Sequence, residues 1–224
     1  MKFLNLGLVV ALVLSQAGCI IRDEVSTVSI RPDGSAEVVV FHSNIRSLQE
    51  GAKGEEALSV YTAQFDTGEL EDLVRITQAG GEVLDARWVR REAPLAHLIT
   101  ARLPSAAALE QYGSIEGEDG SLRPATRFEV DGAVRRLTMT VELPADVDIP
   151  DAAARAPARV QKDRANAISE MRVVVIDGRI TAAQGWTVAS DRRSALLSVD
   201  DVIEMVRENP ERILLVLEWE VTVP

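Results

Sequence analysis

The chain has 224 residues, a formal charge of −11 from 24 basic and 35 acidic side chains, one cysteine and two histidines. That acidic balance disfavours nonspecific attraction to nucleic acid and to anionic lipid headgroups. A single cysteine excludes an intrachain disulfide framework, and two histidines with 4% aromatic residues count against a histidine-rich metal centre and against stacking platforms for sugars or single strands.

Lys2 gives the amino terminus its positive charge, and residues 3–14 are apolar apart from Asn5. Ser15, Gln16, Ala17 and Gly18 then lead into Cys19, the layout of a secretory signal with small residues before the cut. The Ala17-Gly18-Cys19 junction resembles the lipobox of bacterial lipoproteins, with Gln16 standing where an aliphatic residue is usual and Leu14 two residues further upstream. The resemblance implies removal of residues 1–18 as a signal peptide, cleavage between Gly18 and Cys19, and acylation of the Cys19 thiol with palmitate-like chains. Each buried methylene contributes about 0.8 kcal/mol, and two or three chains anchor stably where one does not. The implied protein sits on a membrane of the bacterial cell envelope without crossing it. A retained membrane helix is the alternative, and Asn5, Gly7, Ser15, Gln16 and Gly18 make this stretch a poor match to the roughly 20 apolar residues that span a bilayer. Enteric-type lipoproteins held in the inner membrane carry Asp after the cysteine. Ile20 in that place implies the outer membrane, facing the periplasm.

Residues 20–24 read as a short tether, reaching roughly 17 Å at about 3.4 Å per residue, before the first strand signal at Val25. Residues 25–31 and 35–43 alternate as strands about Pro32-Asp33-Gly34, where proline presets φ and glycine takes the positive φ. Val38, Val40 and His42 share a face, and His42 reads as a strand-end histidine satisfied by backbone. Residues 49–56 form a loop, and a short helix is expected over 55–64. Asp66 followed by Glu69 reads as a capping box for a helix with Leu70, Leu73, Val74 and Thr77 on one face, ending at Gly80-Gly81.

A second hairpin, 82–91 and 95–103, turns at Glu92-Ala93-Pro94. It carries Arg87, Arg90 and Arg91 beside Trp88, a combination suited to phosphate or cation–π contacts but more often a solvated strand face. Ser105 caps a short helix through Tyr112. Residues 114–123 are polar, with Glu116, Glu118 and Asp119, but lack the alternating acids and distal Glu of a calcium loop, so they read as an exposed loop.

The third hairpin joins 126–130 to 133–143 at Asp131-Gly132, with Leu137, Met139, Val141 and Leu143 on the dry face. Residues 144–157, rich in Pro, Ala and Asp, are the candidate linker, and a polar helix follows over 158–170. A further hairpin is expected where 171–176 meets 179–182 at Asp177-Gly178, with 186–189 extended. Ser198 caps a helix with Val199, Val202, Ile203 and Val206 on its face, stopped by Pro210. Residues 213–223 read as a central strand with Trp219 packed and Glu218 and Glu220 exposed.

The expected fold is α+β: an antiparallel or mixed sheet of β-hairpins with helices on one face, in one sheet or as two ferredoxin-like halves. The expected organisation is a signal peptide 1–18, Cys19 and tether to 24, a lobe 25–143, a linker 144–157, and a C-terminal α+β part 158–224 sharing the same sheet. The Pro-Asp-Gly turn just after the cysteine and the valine-rich strand at Asp177-Gly178 followed by Trp186 are similar to the mycobacterial LppM-type lipoprotein domain. No activity follows from that resemblance.

G-x-S-x-G, H-E-x-x-H, Walker A and dinucleotide glycine fingerprints are all missing. The sequence therefore reads as a non-catalytic, membrane-anchored lipoprotein whose domain binds an envelope protein, as an assembly or accessory factor. The alternative is a carrier or sensor of a small apolar ligand or lipid held between sheet and helices. A hydrolytic enzyme using carboxylates that converge in space comes third. No catalytic residue, metal ligand, cofactor or nucleic-acid partner is assigned; the site residues are Cys19 for lipid attachment and Gly18 at the cut.

Overall fold

A computed structural model describes residues 20–114, 123–142, 169–209 and 211–222. The signal peptide, Gly18 and Cys19, residues 115–122 of the acidic loop, the candidate linker, the following residues to 168, and Pro210 lie outside the described residues; Ser169 and Glu170, expected to end a helix, are strand instead.

Strands β1 (Ile20–Ile30) and β2 (Ala36–Ser47) pair antiparallel, closing at Ile30 opposite Ala36. The turn between them forms as its residues require: Gly34 has φ +82°, and the Asp33 carboxylate accepts from the Ser35 N–H at 2.9 Å and the Ser35 hydroxyl at 2.7 Å. The tether expected over residues 20–24 is instead strand, with Ile20 opposite Ser47 and Ile21 opposite Arg46. An irregularity between Ile21 and Asp23 breaks the period-two pattern there, which is why the strand appears to begin later than it does.

Helix α1 (Ala52–Thr67) is longer than its sequence signal, and Gly68 in the left-handed region, φ +78°, stops it. Helix α2 (Glu71–Gln78) follows, with Leu70 rather than a polar residue at its N-cap. The Asp66–Glu69 capping box does not form, because Asp66 falls in the last turn of α1 and its carboxylate turns to Trp88 and Arg91. Gly80 and Gly81 close α2 through their N–H groups to the carbonyls of Thr77 and Ile76. Strands β3 (Glu82–Arg90) and β4 (Leu95–Leu103) make the expected hairpin. Ser105 then caps α3 (Ala106–Ser114), its hydroxyl accepting from the Ala108 N–H at 3.2 Å.

Beyond α3 come β5 (Arg123–Asp131), β6 (Val134–Glu142), β7 (Ser169–Val175), β8 (Gly178–Gln184), β9 (Thr187–Val188), β10 (Ser194–Ser198), helix α4 (Val199–Glu208) and β11 (Arg212–Val221). These strands make two sheets, not one. A seven-stranded mixed sheet runs β3-β4-β2-β1-β7-β10-β9, and a four-stranded antiparallel sheet runs β5-β6-β11-β8. The α+β class holds, while the C-terminal residues are divided between the sheets. Asp177-Gly178 is a corner rather than a hairpin turn: β7 pairs with β1 and β10, and β8 pairs with β11. The central place expected for the last strand is observed, with β11 between β6 and β8.

The inward faces of both sheets and α3 share one apolar core. Val28 and Val173 of the first sheet meet Leu137 and Met139 of the second around Tyr112. Helix α4 closes one end, packing on β10 and β11 through buried Val202 and Val206. Its capping box is complete: the Ser198 hydroxyl accepts from the Asp201 N–H at 3.3 Å, and the Asp201 carboxylate accepts from the Ser198 N–H at 2.8 Å. Ser198→Ala should lower stability by about 0.5–2 kcal/mol, and Ser198→Thr should restore most of it. Urea midpoints of the three proteins measure this, and an unshifted alanine variant would mean that the cap does not hold the helix. Among the described residues no helix is long and apolar enough to cross a membrane.

Candidate functional site

The only two histidines of the chain are cross-strand partners on β2 and β4. Both point into the space beneath α1 and α2, and both are fully buried, at 0% exposure. His42 Nδ1 lies 3.2 Å from His97 Nε2, and the hydroxyl of Tyr61, from α1, is 2.8 Å from the same His97 nitrogen. On its other side His42 Nε2 faces Glu24 Oε2 of β1 at 3.1 Å and Asp72 Oδ2 of α2 at 3.8 Å. Arg22 of β1 lies 3.6 Å from Glu24 and 3.8 Å from Asp72. Arg75 of α2 binds Glu71 one turn earlier at 3.1 Å.

His42 is thus not a strand-end residue satisfied by backbone; its ring nitrogens face side chains from four other elements, β1, β4, α1 and α2. The same cluster explains why α2 is rotated from its expected face. Asp72 and Arg75 are buried with Leu73 and Ile76, while Thr77 points to solvent. A charged pair that meets charged partners turns inward, against the apolar pattern read from sequence.

His97 Nε2 has two polar neighbours, the Tyr61 hydroxyl and His42 Nδ1. His97 Nδ1 is buried with no hydrogen-bond partner among the described residues. Burial, with repulsion from His42, lowers the His97 pKa to about 2. Burial alone would raise Glu24, but the His42 hydrogen bond, then His42 charge, Arg22 and Arg75, bring it down to about 2. Burial would likewise lower Arg22, yet Tyr61, Asp72, Glu24 and Glu71 hold it above its ordinary value. Tyr61 is pushed up to about 12, and Tyr112 of α3 is also raised, both chiefly by burial. At neutral pH the cluster therefore holds Glu24 and Arg22 charged beside a neutral His97 and neutral tyrosines.

From His97 a run of rings leads outward. Phe65 of α1 lies 4.3 Å from His97 between ring centroids and 4.6 Å from Trp88 of β3. Trp88 donates its indole N–H to Asp66 at 2.8 Å, and Arg91 closes on the same carboxylate at 3.0 Å with its guanidinium 5.4 Å from the Trp88 ring. Trp88, then Arg91, hold the Asp66 carboxyl below its ordinary pKa. These residues line an open groove of about 640 Å³, with Phe65, Leu73, Val83 and Trp88 in its lining and Arg87, Arg91 and Asp66 among its polar residues.

Of the arginines singled out by sequence, Arg91 sits on Trp88, Arg87 pairs with Asp85 at 3.0 Å, and Arg90 donates to the Pro94 carbonyl. Sequence reading missed Asp66 as the partner of Trp88 and Arg91, and it missed the whole buried network. One signal was available for the network: His42 is in phase with Val38 and Val40, and His97 with Ile99 and Ala101, so both histidines sit on apolar faces. Among the described residues no group of three or more His, Cys, Asp or Glu side chains is placed to hold a metal ion. Between the two sheets and α3 there is a void of about 10 Å³, too small for any ligand larger than a water molecule.

No protein-family model matches the chain, and no curated protein matches it. Among solved structures, the NMR structure of the folded domain of the Mycobacterium tuberculosis LppM protein is similar over 91% of each chain, at 12% identity and a TM-score of 0.44.

Proposed function

We propose that the chain is a non-catalytic lipoprotein of the bacterial cell envelope, anchored through Cys19, whose domain binds another protein in the groove over Trp88. The observation that carries this reading is the composition of the groove. Phe65, Leu73 and Val83 beside Trp88 and Arg91 make an arrangement in which tryptophan and arginine concentrate binding energy. The absence of a catalytic role draws support from access: the His42 and His97 rings are sealed, so a substrate at the surface does not reach them. The alternative, a small apolar ligand or lipid held between sheet and helices, has less support: the groove there is open and carries Asp66, Arg87 and Arg91, and the void between the sheets is about 10 Å³. Placement in the outer membrane, facing the periplasm, is inferred from Ile20 after the cysteine.

The test uses the full-length protein in its own membrane. A photo-crosslinking residue at Ala86, exposed on the groove, should capture a discrete protein, while the same residue at exposed Ala182 on β8 should not. Cys19→Ser should release the protein from the membrane and abolish the capture. Equal capture at both positions, or none at Ala86, overturns the reading.

A further inference from the structure

Helix α1 belongs both to the groove and to the buried network. Of its 16 residues only Gly54, Tyr61 and Phe65 are buried. The Tyr61 hydroxyl is 2.8 Å from His97 Nε2, and the Phe65 ring lies 4.3 Å from the His97 ring, tilted by 33°. The end of the same helix, Phe65 to Gly68, forms one wall of the groove. Both buried side chains of α1 therefore converge on one imidazole.

We propose that the His42–His97 pair is a proton-operated latch: when pH falls, protonation of His97 frees α1 from the sheet and takes away a wall of the groove. The groups facing the pair set its direction. Arg22 and Glu24 come from β1, Tyr61 from α1, and Glu71, Asp72 and Arg75 from α2, while Tyr112 of α3 lies toward Arg75. Trp88 is what β3 contributes, and it carries no charge. His42 Nε2 faces the carboxylates of Glu24 and Asp72. A proton on His97 Nδ1 has no acceptor within hydrogen-bond distance among the described residues; its ring packs against Phe65 and Trp88, and His42 and Arg22 oppose the charge, with Asp72 alone favouring it. The closed form thus refuses that proton, whereas a form with α1 lifted lets His97 titrate at its ordinary value of 6.5. Protons bound by the open form and not by the closed one favour opening as pH falls, about tenfold per pH unit below that value. The sheet itself is held by its ladders and core, so α1 is the element that yields.

That the latch governs partner binding rests on the docking reading above; the movement of α1 does not. Amide hydrogen exchange on the folded chain, corrected for intrinsic rates, tests the movement. Going from about pH 7.5 to about pH 5, the α1 opening constant should rise roughly 30-fold, with the β1, β2 and β7 amides changing much less. His97→Gln offers an amide in place of the imidazole and has nothing to titrate, so the rise should disappear. Should that variant fail to fold, the contrast between α1 and β7 within the natural chain still decides. An α1 that loosens no more than β7, or an unchanged response in His97→Gln, overturns the latch. Crosslinking at Ala86 repeated at both pH values tests the link to docking. Capture at pH 7.5 that is lost at pH 5 supports it, capture that persists beside a loosened α1 overturns the coupling, and no capture at either pH counts against the docking reading alone.

Discussion

Glu24→Ala should destabilise the domain by about 3–5 kcal/mol, the range expected when one member of a buried ionic cluster is removed and its partners stay behind. The Glu24 side chain is 15% exposed and faces His42 Nε2 at 3.1 Å and Arg22 at 3.6 Å. Without it, Arg22 keeps Asp72 at 3.8 Å in a place where burial already opposes its charge, and His42 Nε2 loses its nearest carboxylate. Glu24→Gln retains the shape and one acceptor, and should lose less, about 1–3 kcal/mol. Because the folded carboxyl has its pKa lowered from 4.5 to about 2, its contribution is fully present above pH 4.5 and is lost as pH falls through 2. The gap between wild type and Glu24→Ala in urea unfolding should therefore be widest near neutrality and shrink in strong acid. A gap that is absent at neutral pH, or that grows on acidification, would show that Glu24 does not hold the network together.

Trp219→Ala should cost a similar amount, about 3–5 kcal/mol, from lost burial and the cavity left behind. Trp219 is fully buried on β11, the inner strand of the four-stranded sheet, opposite Arg135 of β6 and Ile180 of β8. Its ring lies 5.8 Å from that of Phe128, and a Cβ placed on Gly178 would fall 2.5 Å from its Cδ1. The site cannot collapse around a small residue without moving β8 as well. The indole N–H, however, has no hydrogen-bond partner among the described residues, so Trp219→Phe gives up no polar contact and should lose much less than the alanine variant. Circular dichroism during urea unfolding reads both. An alanine variant within about 1 kcal/mol of wild type would mean that this corner of the core repacks freely.

Local chemistry is what the sequence made legible. The Pro32-Asp33-Gly34 turn, the Gly80-Gly81 stop and the Ser105 and Ser198 caps are each decided within a few residues, and each forms. Partner choice is decided elsewhere. Asp131 and Asp177 both precede glycine between apolar runs, yet β5 and β6 fold back as a hairpin while β7 and β8 separate into different sheets. Nothing near Asp177 signals this; β1, some 140 residues earlier, supplies the edge that β7 takes. The site divides in the same way. Trp88 and Arg91 are visible as neighbours in sequence, but Asp66, 22 residues before Trp88, reads locally as a helix cap and serves instead as their shared acceptor. The histidine network joins residues from β1, β2, β4, α1 and α2, spread from Arg22 to His97, so no short window on the sequence shows it.

The position of β1 has a mechanical consequence. The strand begins at Ile20 and runs through the interior of the seven-stranded sheet, antiparallel to β2 and parallel to β7. A pull on residue 20 along the strand loads its ten register pairs with β2 and its seven with β7 together, in shear. A hairpin end pulled sideways would instead open one rung at a time. Tension applied at the amino-terminal end is spread across the middle of the sheet, and a domain loaded in this way resists peeling.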